Sequence, residues 1–148
     1  MKVEREIEIA APPKKVYDLI ADAGRLGEWV TIHQHVEGEA QAELKKGSEL
    51  TQCLKLAGKG FKVRWKVVEA SPPHRLAWDG KGPVRSHARV VNELAPTNGG
   101  TRFSYTNEFD LPGGPLGRMA GPMVKRATGG ELEKSLRRLK ALLEEPLQ

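Results

Sequence analysis

The first eight positions after Met1 alternate. In residues 2–9, KVEREIEI, Val3, Ile7 and Ile9 fall on one side and Lys2, Glu4, Glu6 and Glu8 on the other, the pattern of a strand with one wet face. Arg5 is the exception, a cation on the apolar side. The following APPKKVYDLIADA predicts a helix: Pro12 and Pro13 suit a first turn, and Val16, Leu19, Ile20 and Ala23 follow helical spacing. GRLGEWV predicts a second short helix, set off by Gly24. From about residue 33 to 109 the period returns to two, with turn chemistry at LKKGS, LAGKG, ASPPH, GKGP and APTNGG. Phe61, Val63, Trp65 and Val67 alternate with Lys62, Arg64 and Lys66. Phe103, Tyr105, Asn107 and Phe109 alternate with Arg102, Ser104, Thr106 and Glu108.

The predicted order is therefore strand, helix pair, about six strands and a long C-terminal helix. Runs of strands followed by a helix indicate an α+β fold with helices packed on one face of an antiparallel sheet. The 148 residues suffice for one domain, residues 1–148, with a full core. There are no internal repeats, linkers or low-complexity tracts.

The last helix is written on an awkward sequence. In GRMAGPMVKRATGGELEKSLRRLKALLEE, residues 117–145, Pro122 and Gly129-Gly130 sit where a helix interior is expected. Such residues cost roughly 3 and 1 kcal/mol each relative to Ala. Leu132, Leu136, Leu139 and Leu143 form one apolar stripe. Leu116, Ala120, Met123 and Ala127 form another, about half a turn away at ~100° per residue. Either the glycine pair breaks the helix, or one stripe faces away from the sheet. With a continuous helix and an inward leucine stripe, Arg118, Gly121, Pro122, Lys125, Thr128 and Gly129 point inward as well. Small residues there make space, and a cation there meets an acidic ligand group. The competing reading has Gly129-Gly130 permitting close helix–sheet contact while Lys125 snorkels to water.

Charge changes this picture little. The net charge is +5, and seven basic residues against two acidic ones between Arg118 and Lys140 account for a surplus of that size. A solvated helix face explains it, and contact with an anionic partner is the sharper alternative. No apolar run approaches the ~20 residues of a membrane span. The charged start lacks a signal-peptide core, and Cys53 has no second cysteine to pair with. A reducing cytoplasm is the expected location, with no membrane insertion.

Four stretches carry a family resemblance: IAAPPKKVYDLIADAGRLGEW, VVEASPPHRLAW, NGGTRFSYTNEFDLP and LEKSLRRLKALLE. They resemble the SRPBCC superfamily of START-like, helix-grip domains, in its polyketide cyclase/dehydrase-like branch, over essentially the whole chain. EWVTIH, residues 28–33, is similar to a subgroup that includes a toxin–antitoxin toxin component. The resemblance implies a curved antiparallel sheet of about seven strands wrapped around the C-terminal helix, with two short helices after the first strand. It also implies a deep, largely apolar pocket between sheet and helix for a hydrophobic or amphipathic small molecule. Members include lipid carriers, hormone receptors, aromatic cyclases, self-resistance proteins and ribosome-directed toxins, so the fold does not choose among functions.

The candidate ligand-binding residues are Trp29, Trp65, Trp78, Tyr105, Asn107, Lys125 and Gly129. Trp65 and Trp78 lie on apolar strand faces, where each indole N–H needs a partner. Tyr105 and Asn107 share the inward face of the last strand, where they either satisfy each other or fix a ligand. Trp29 caps the pocket mouth or seals the helix pair to the sheet. His33 and His35 are one strand period apart but lack a convincing third metal ligand, so they read as surface histidines. His74 and His87 are expected at the surface too. No catalytic triad, Cys–His pair, inward carboxylate pair or phosphate loop can be argued, and no cofactor or metal is expected.

Three functions remain. The first is binding or sequestering of a hydrophobic small molecule, by a monomer or weak homodimer. The second is a polyketide cyclase or dehydratase in which Tyr105 or Lys125 donates a proton or stabilises an oxyanion. An unperturbed Tyr or Lys titrates near pH ~10, and no acid–base partner is visible to tune either. The third is a toxin-like protein that binds RNA or ribosomes through Lys62, Arg64 and Lys66 on the sheet and Arg126, Lys134, Arg137, Arg138 and Lys140 on the helix. Steep weakening with salt separates that reading from the others.

Overall fold

A computed structural model describes residues 1–110 and 121–144. The strands are β1 (Lys2–Ile9), β2 (His33–Val36), β3 (Glu49–Leu56), β4 (Lys59–Ser71), β5 (Arg75–Lys81), β6 (His87–Thr97) and β7 (Gly100–Phe109). Between β1 and β2 lie α1 (Pro13–Ile20), a 3-10 turn and the single-turn helix α2 (Leu26–Trp29). The chain ends in α3 (Gly121–Glu144). All pairings are antiparallel, in the order β1-β7-β6-β5-β4-β3-β2. The seven strands curl into a half-barrel, an α+β helix-grip fold as the sequence resemblance implied.

Local chemistry explains the helix pair. Pro12 is extended at the N-cap and Pro13 occupies the first turn of α1, which needs no N–H there. Asp22 accepts a 3.0 Å hydrogen bond from the Gly24 N–H and starts the 3-10 turn that leads into α2. The apolar sides of the helices and strands meet in one core, with Val16, Leu26, Val67, Leu76, Phe103 and Leu139 almost wholly buried.

The continuous-helix alternative is the observed one. α3 runs unbroken through Gly129-Gly130, with Thr128, Gly129, Leu132, Ser135, Leu136 and Leu139 buried. Met123, on the other stripe, is 77% exposed. Leu116, Arg118 and Ala120 lie outside the described residues. α3 packs along β1 and α2. Three polar contacts fasten it to β1 and the residue that follows: Arg5 Nε donates to Glu133 Oε1 at 2.9 Å, Lys140 Nζ to the Glu8 carbonyl at 2.8 Å, and the Ala10 N–H to Glu144 Oε2 at 2.7 Å.

Arg5 and Gly129 explain each other. Arg5 stands opposite Tyr105 on the inward side of β1. A Cβ on Gly129 would lie 2.4 Å from the nearer terminal nitrogen of the Arg5 guanidinium. The missing side chain of the helix is the space that the strand's misplaced cation occupies. Gly129 therefore faces Arg5 rather than an open cavity.

Candidate functional site

The inner face of the sheet is lined with aromatic rings because its alternating positions carry them. Trp65 on β4 meets Trp78 on β5 edge-on, with centroids 5.8 Å apart and planes at 71°. Trp29, at the end of α2, lies against β7: 6.4 Å from Phe103 at 85° and 5.6 Å from Tyr105 at 55°. Such pairs are worth about 0.5–1.5 kcal/mol beyond their buried area.

A small cavity of about 40 Å³ lies between these rings, bounded by Leu26, Trp29, Val30 and Ile32 on one side. Gln52, Leu54, Trp65, Trp78, Val90, Asn92, Tyr105 and Asn107 bound it on the sheet side. Five of the seven candidate residues thus meet around one space. Lys125 does not: it is exposed and borders no part of this cavity. Gly129 is absent from the lining as well, for the steric reason given above. The wall opposite the sheet comes from α2 and the segment after it, not from the glycine-bearing part of the long helix.

Buried polar groups were the least legible part of this wall. Gln52 is 4% exposed on β3, in a position read only as part of an alternating strand. Its Oε1 accepts from Trp65 Nε1 at 2.9 Å, and its Nε2 lies 2.8 Å from His33 Nδ1. An indole N–H can only donate, so Oε1 must face Trp65, and the amide N–H₂ must face His33. His33 Nδ1 therefore accepts, which places the proton of the neutral ring on Nε2. Asn92, also buried, donates to the Leu76 carbonyl at 3.0 Å. Only its position on an apolar face signalled it.

The histidine reading needs correcting for His33. A register shift between His33 and His35 pairs His33 with Leu54 and His35 with Cys53, so the two lie on opposite faces of the sheet. His33 is half-buried, and burial, then the neighbouring His35, lower its pKa below the usual 6.5. An unfolded chain then binds a proton at a higher pH than the native one. This contribution to stability is complete above about pH 6.5 and declines as pH falls from there toward the lowered native value. Urea unfolding at pH 7.5 and 5 should show this loss, and it should shrink in a His33→Phe variant. An unchanged pH slope in that variant would exclude His33 as its source.

Three buried donors at the cavity have no hydrogen-bond partner among the described residues: Trp29 Nε1, Trp78 Nε1 and Asn107 Nδ2. Each such group costs about 1–3 kcal/mol when left unpaired. Tyr105 stands beside Asn107, and burial pushes its phenol up to about 12, the Asn107 side chain acting in the opposite direction. It remains a neutral phenol at ordinary pH and is poorly suited to act as a base.

A larger concavity of about 910 Å³ is lined by charged residues of the sheet's polar face together with Leu50, Trp65, Gly80, Ala88 and Phe109 from its inner face. It is open, and charged and apolar side chains share its wall. Glu49, Lys66, Asp79, Arg89 and Glu108 are successive cross-strand partners there, alternating in sign. Lys62 is ion-paired with Glu37, and Arg89 lies 3.4 Å from Asp79. Size alone would favour this groove as a small-molecule site. Enclosure and the unpartnered indole donors of its wall favour the small cavity.

Among the described residues no helix is long and apolar enough to cross a membrane. Two sequence relatives come from Mycobacterium tuberculosis. Rv1546 is 29% identical over 140 residues, 95% of this chain and 96% of its own. The toxin Rv0910 is 24% identical over 135 residues, 91% of this chain and 92% of its own. Among solved structures, TTHA0849 from Thermus thermophilus superposes with a TM-score of 0.77 at 19% identity, covering 97% of each chain, a likeness of fold. The family described as polyketide cyclase / dehydrase and lipid transport matches residues 1–144. With that match spanning the strands, the helix pair and α3, the chain belongs to the polyketide cyclase/dehydrase and lipid transport family.

Proposed function

We propose that this protein binds or sequesters a hydrophobic or amphipathic small molecule between the aromatic inner face of the sheet and α2. The observation that carries this reading is that Trp29 and Trp78, which line one cavity together with Trp65 and Tyr105, each hold a buried indole N–H with no partner among the described residues. Apolar walls supply affinity, and a few placed polar groups supply orientation. Family membership supports the same class of ligand. Catalysis is the weaker reading, since the phenol of Tyr105 is moved away from useful base chemistry and Lys125 is exposed. Association with RNA or ribosomes gains little from a sheet surface on which cations alternate with acids.

The cavity holds little more than a water molecule or two, against the ~300 Å³ of a small-ligand site. Uptake therefore requires the α2 segment to swing from the sheet. Thr31 restrains it: its N–H donates to Ser135 Oγ at 3.0 Å, and its hydroxyl donates to Glu131 on α3. Thr31→Val removes the hydroxyl contact, worth roughly 1 kcal/mol. The open form should rise about fivefold in population, and stopped-flow uptake of Nile red should quicken by a similar factor. Native mass spectrometry of freshly purified protein tests the reading directly, with a retained small hydrophobic molecule as the expected result. No retained molecule, together with no stoichiometric Nile red binding by either form, would overturn it.

A further inference from the structure

Resting on that reading of the cavity, we infer that ligand entry is controlled by proton uptake at His33, relayed to the cavity wall by Gln52. Three side chains form one hydrogen-bonded row across β2, β3 and β4. Trp65 Nε1 donates to Gln52 Oε1 at 2.9 Å, and Gln52 Nε2 donates to His33 Nδ1 at 2.8 Å. The row has a fixed direction, because the indole N–H at one end can only donate. It closes only if the other end accepts, which a neutral imidazole does and an imidazolium does not. A proton on Nδ1 therefore leaves Gln52 with no orientation that serves both neighbours. As it stands, the amide N–H₂ would face a second donor. Turned over, it would offer Oε1 to His33 and set its N–H₂ against the indole N–H. Gln52 and Trp65 are both buried in the cavity wall, where an unpaired donor is costly.

The position of the ring couples this mismatch to α2. A Cβ on Gly27 would lie 3.5 Å from His33 Cδ2, so the imidazole rests against α2 as well as against Gln52. The His33 N–H donates to the Val30 carbonyl at 3.1 Å, which ties the residue to the end of that helix. A charged ring that moves out to water draws the α2 segment from the sheet, the motion that uptake requires. The groups around the ring leave His33 as the source of an acid response. On β3 and β4 it faces Gln52, Leu54 and Trp65, none of which carries charge. Glu131 on α3 is held below its usual range by the Thr31 hydroxyl, and Glu28 on α2 by Arg25, so both stay ionised at pH 5. His35 lies on the opposite face of β2, and its charge further disfavours a proton on His33.

The test has one arm without ligand and one with it. By NMR, the Trp65 indole N–H signal, assigned by its loss in Trp65→Phe, should shift between pH 7.5 and 5 with the same midpoint as the His33 ring. By stopped flow, Nile red uptake should be at least about fivefold faster at pH 5 than at pH 7.5, as loss of one buried hydrogen bond allows. His33→Phe should abolish both responses. Gln52→Glu should abolish the acceleration and raise the His33 midpoint, because a carboxylate accepts from the indole and the imidazolium together. An indole signal that does not follow the His33 titration would overturn the inference. Acid acceleration that persists in His33→Phe would overturn it too, as would an unchanged uptake rate in wild-type protein. A normal indole titration in a protein that binds no Nile red would overturn the binding reading, and ligand entry with it, and leave the proton relay standing. If Gln52→Glu does not fold, wild-type protein and His33→Phe still decide.

Discussion

Replacing Gly80 with Ala should destabilise the protein by about 3 kcal/mol, and with Val by more. Gly80 lies on the inward side of β5, directly opposite Trp65. A Cβ there would stand 2.6 Å from Trp65 Cε3 and from Val63 Cγ1, and 2.8 Å from Trp65 Cζ3. Two contacts hold the ring in place. Its N–H is held by Gln52 at 2.9 Å, and Trp78 meets it edge-on. Two costs therefore add: overpacking of about 1–3 kcal/mol, and about 1–3 kcal/mol for an indole donor pulled from its acceptor while still buried. Denaturant unfolding should show an earlier midpoint, with tryptophan emission in the native baseline shifted to the red. Trp65→Leu removes the obstacle, so Gly80→Ala should cost much less in that background. A Gly80→Ala protein with a wild-type midpoint would show that the sheet relaxes around the ring.

Gly129→Leu is the second large effect, and its sign depends on Arg5. Taken alone, the substitution relieves a helix penalty of up to ~1 kcal/mol. In the folded protein its Cβ meets the Arg5 guanidinium, 2.4 Å from the nearer nitrogen and 3.2 Å from Cζ. The cation must leave, along with its contacts to Glu133 and to the Glu4 carbonyl. That ion pair is 39% and 50% exposed at its two ends, so its own loss contributes little. Displacing the arginine stem and forcing a leucine between α3 and β1 should cost about 1–3 kcal/mol. In an Arg5→Ala background the space is empty, and the same leucine should be neutral or stabilising. Thermal unfolding of the four proteins of this cycle reads the coupling directly. An equal penalty in both backgrounds would mean that Arg5 is not what Gly129 accommodates.

The helix-grip architecture was legible because its causes are local and periodic. Alternation at Phe61–Val67 and Phe103–Phe109 set which residues face inward, and Pro12-Pro13 set where α1 begins. Trp65, Trp78, Tyr105 and Asn107 could be picked as wall residues for the same reason, each a large or polar side chain on an apolar strand face, and Trp29 from its place at the end of the short helix. Gln52 obeys the same alternation, yet nothing in its own neighbourhood marks it, and Asn92 shows only as a polar residue on an apolar face. What makes Gln52 matter is an indole on β4 and an imidazole on β2, brought within 3 Å by strand pairing.

The long helix shows the limit most clearly. Its 3.6-residue period allowed two arrangements, a break at Gly129-Gly130 or a continuous rod with one stripe outward. Each satisfied the local rules. Choosing between them required knowing what stood opposite. Arg5, more than 120 positions away, violates the pattern of β1, and Gly129 violates that of α3. The two violations are a single contact. Periodicity determined which face each element buries, because that depends only on the spacing of apolar side chains. Tertiary structure decided which glycine holds a cation and which leaves room for a ring. It also decided which polar atoms lack partners, because hydrogen bonding and steric fit depend on the pair, and only folding brings the pair together.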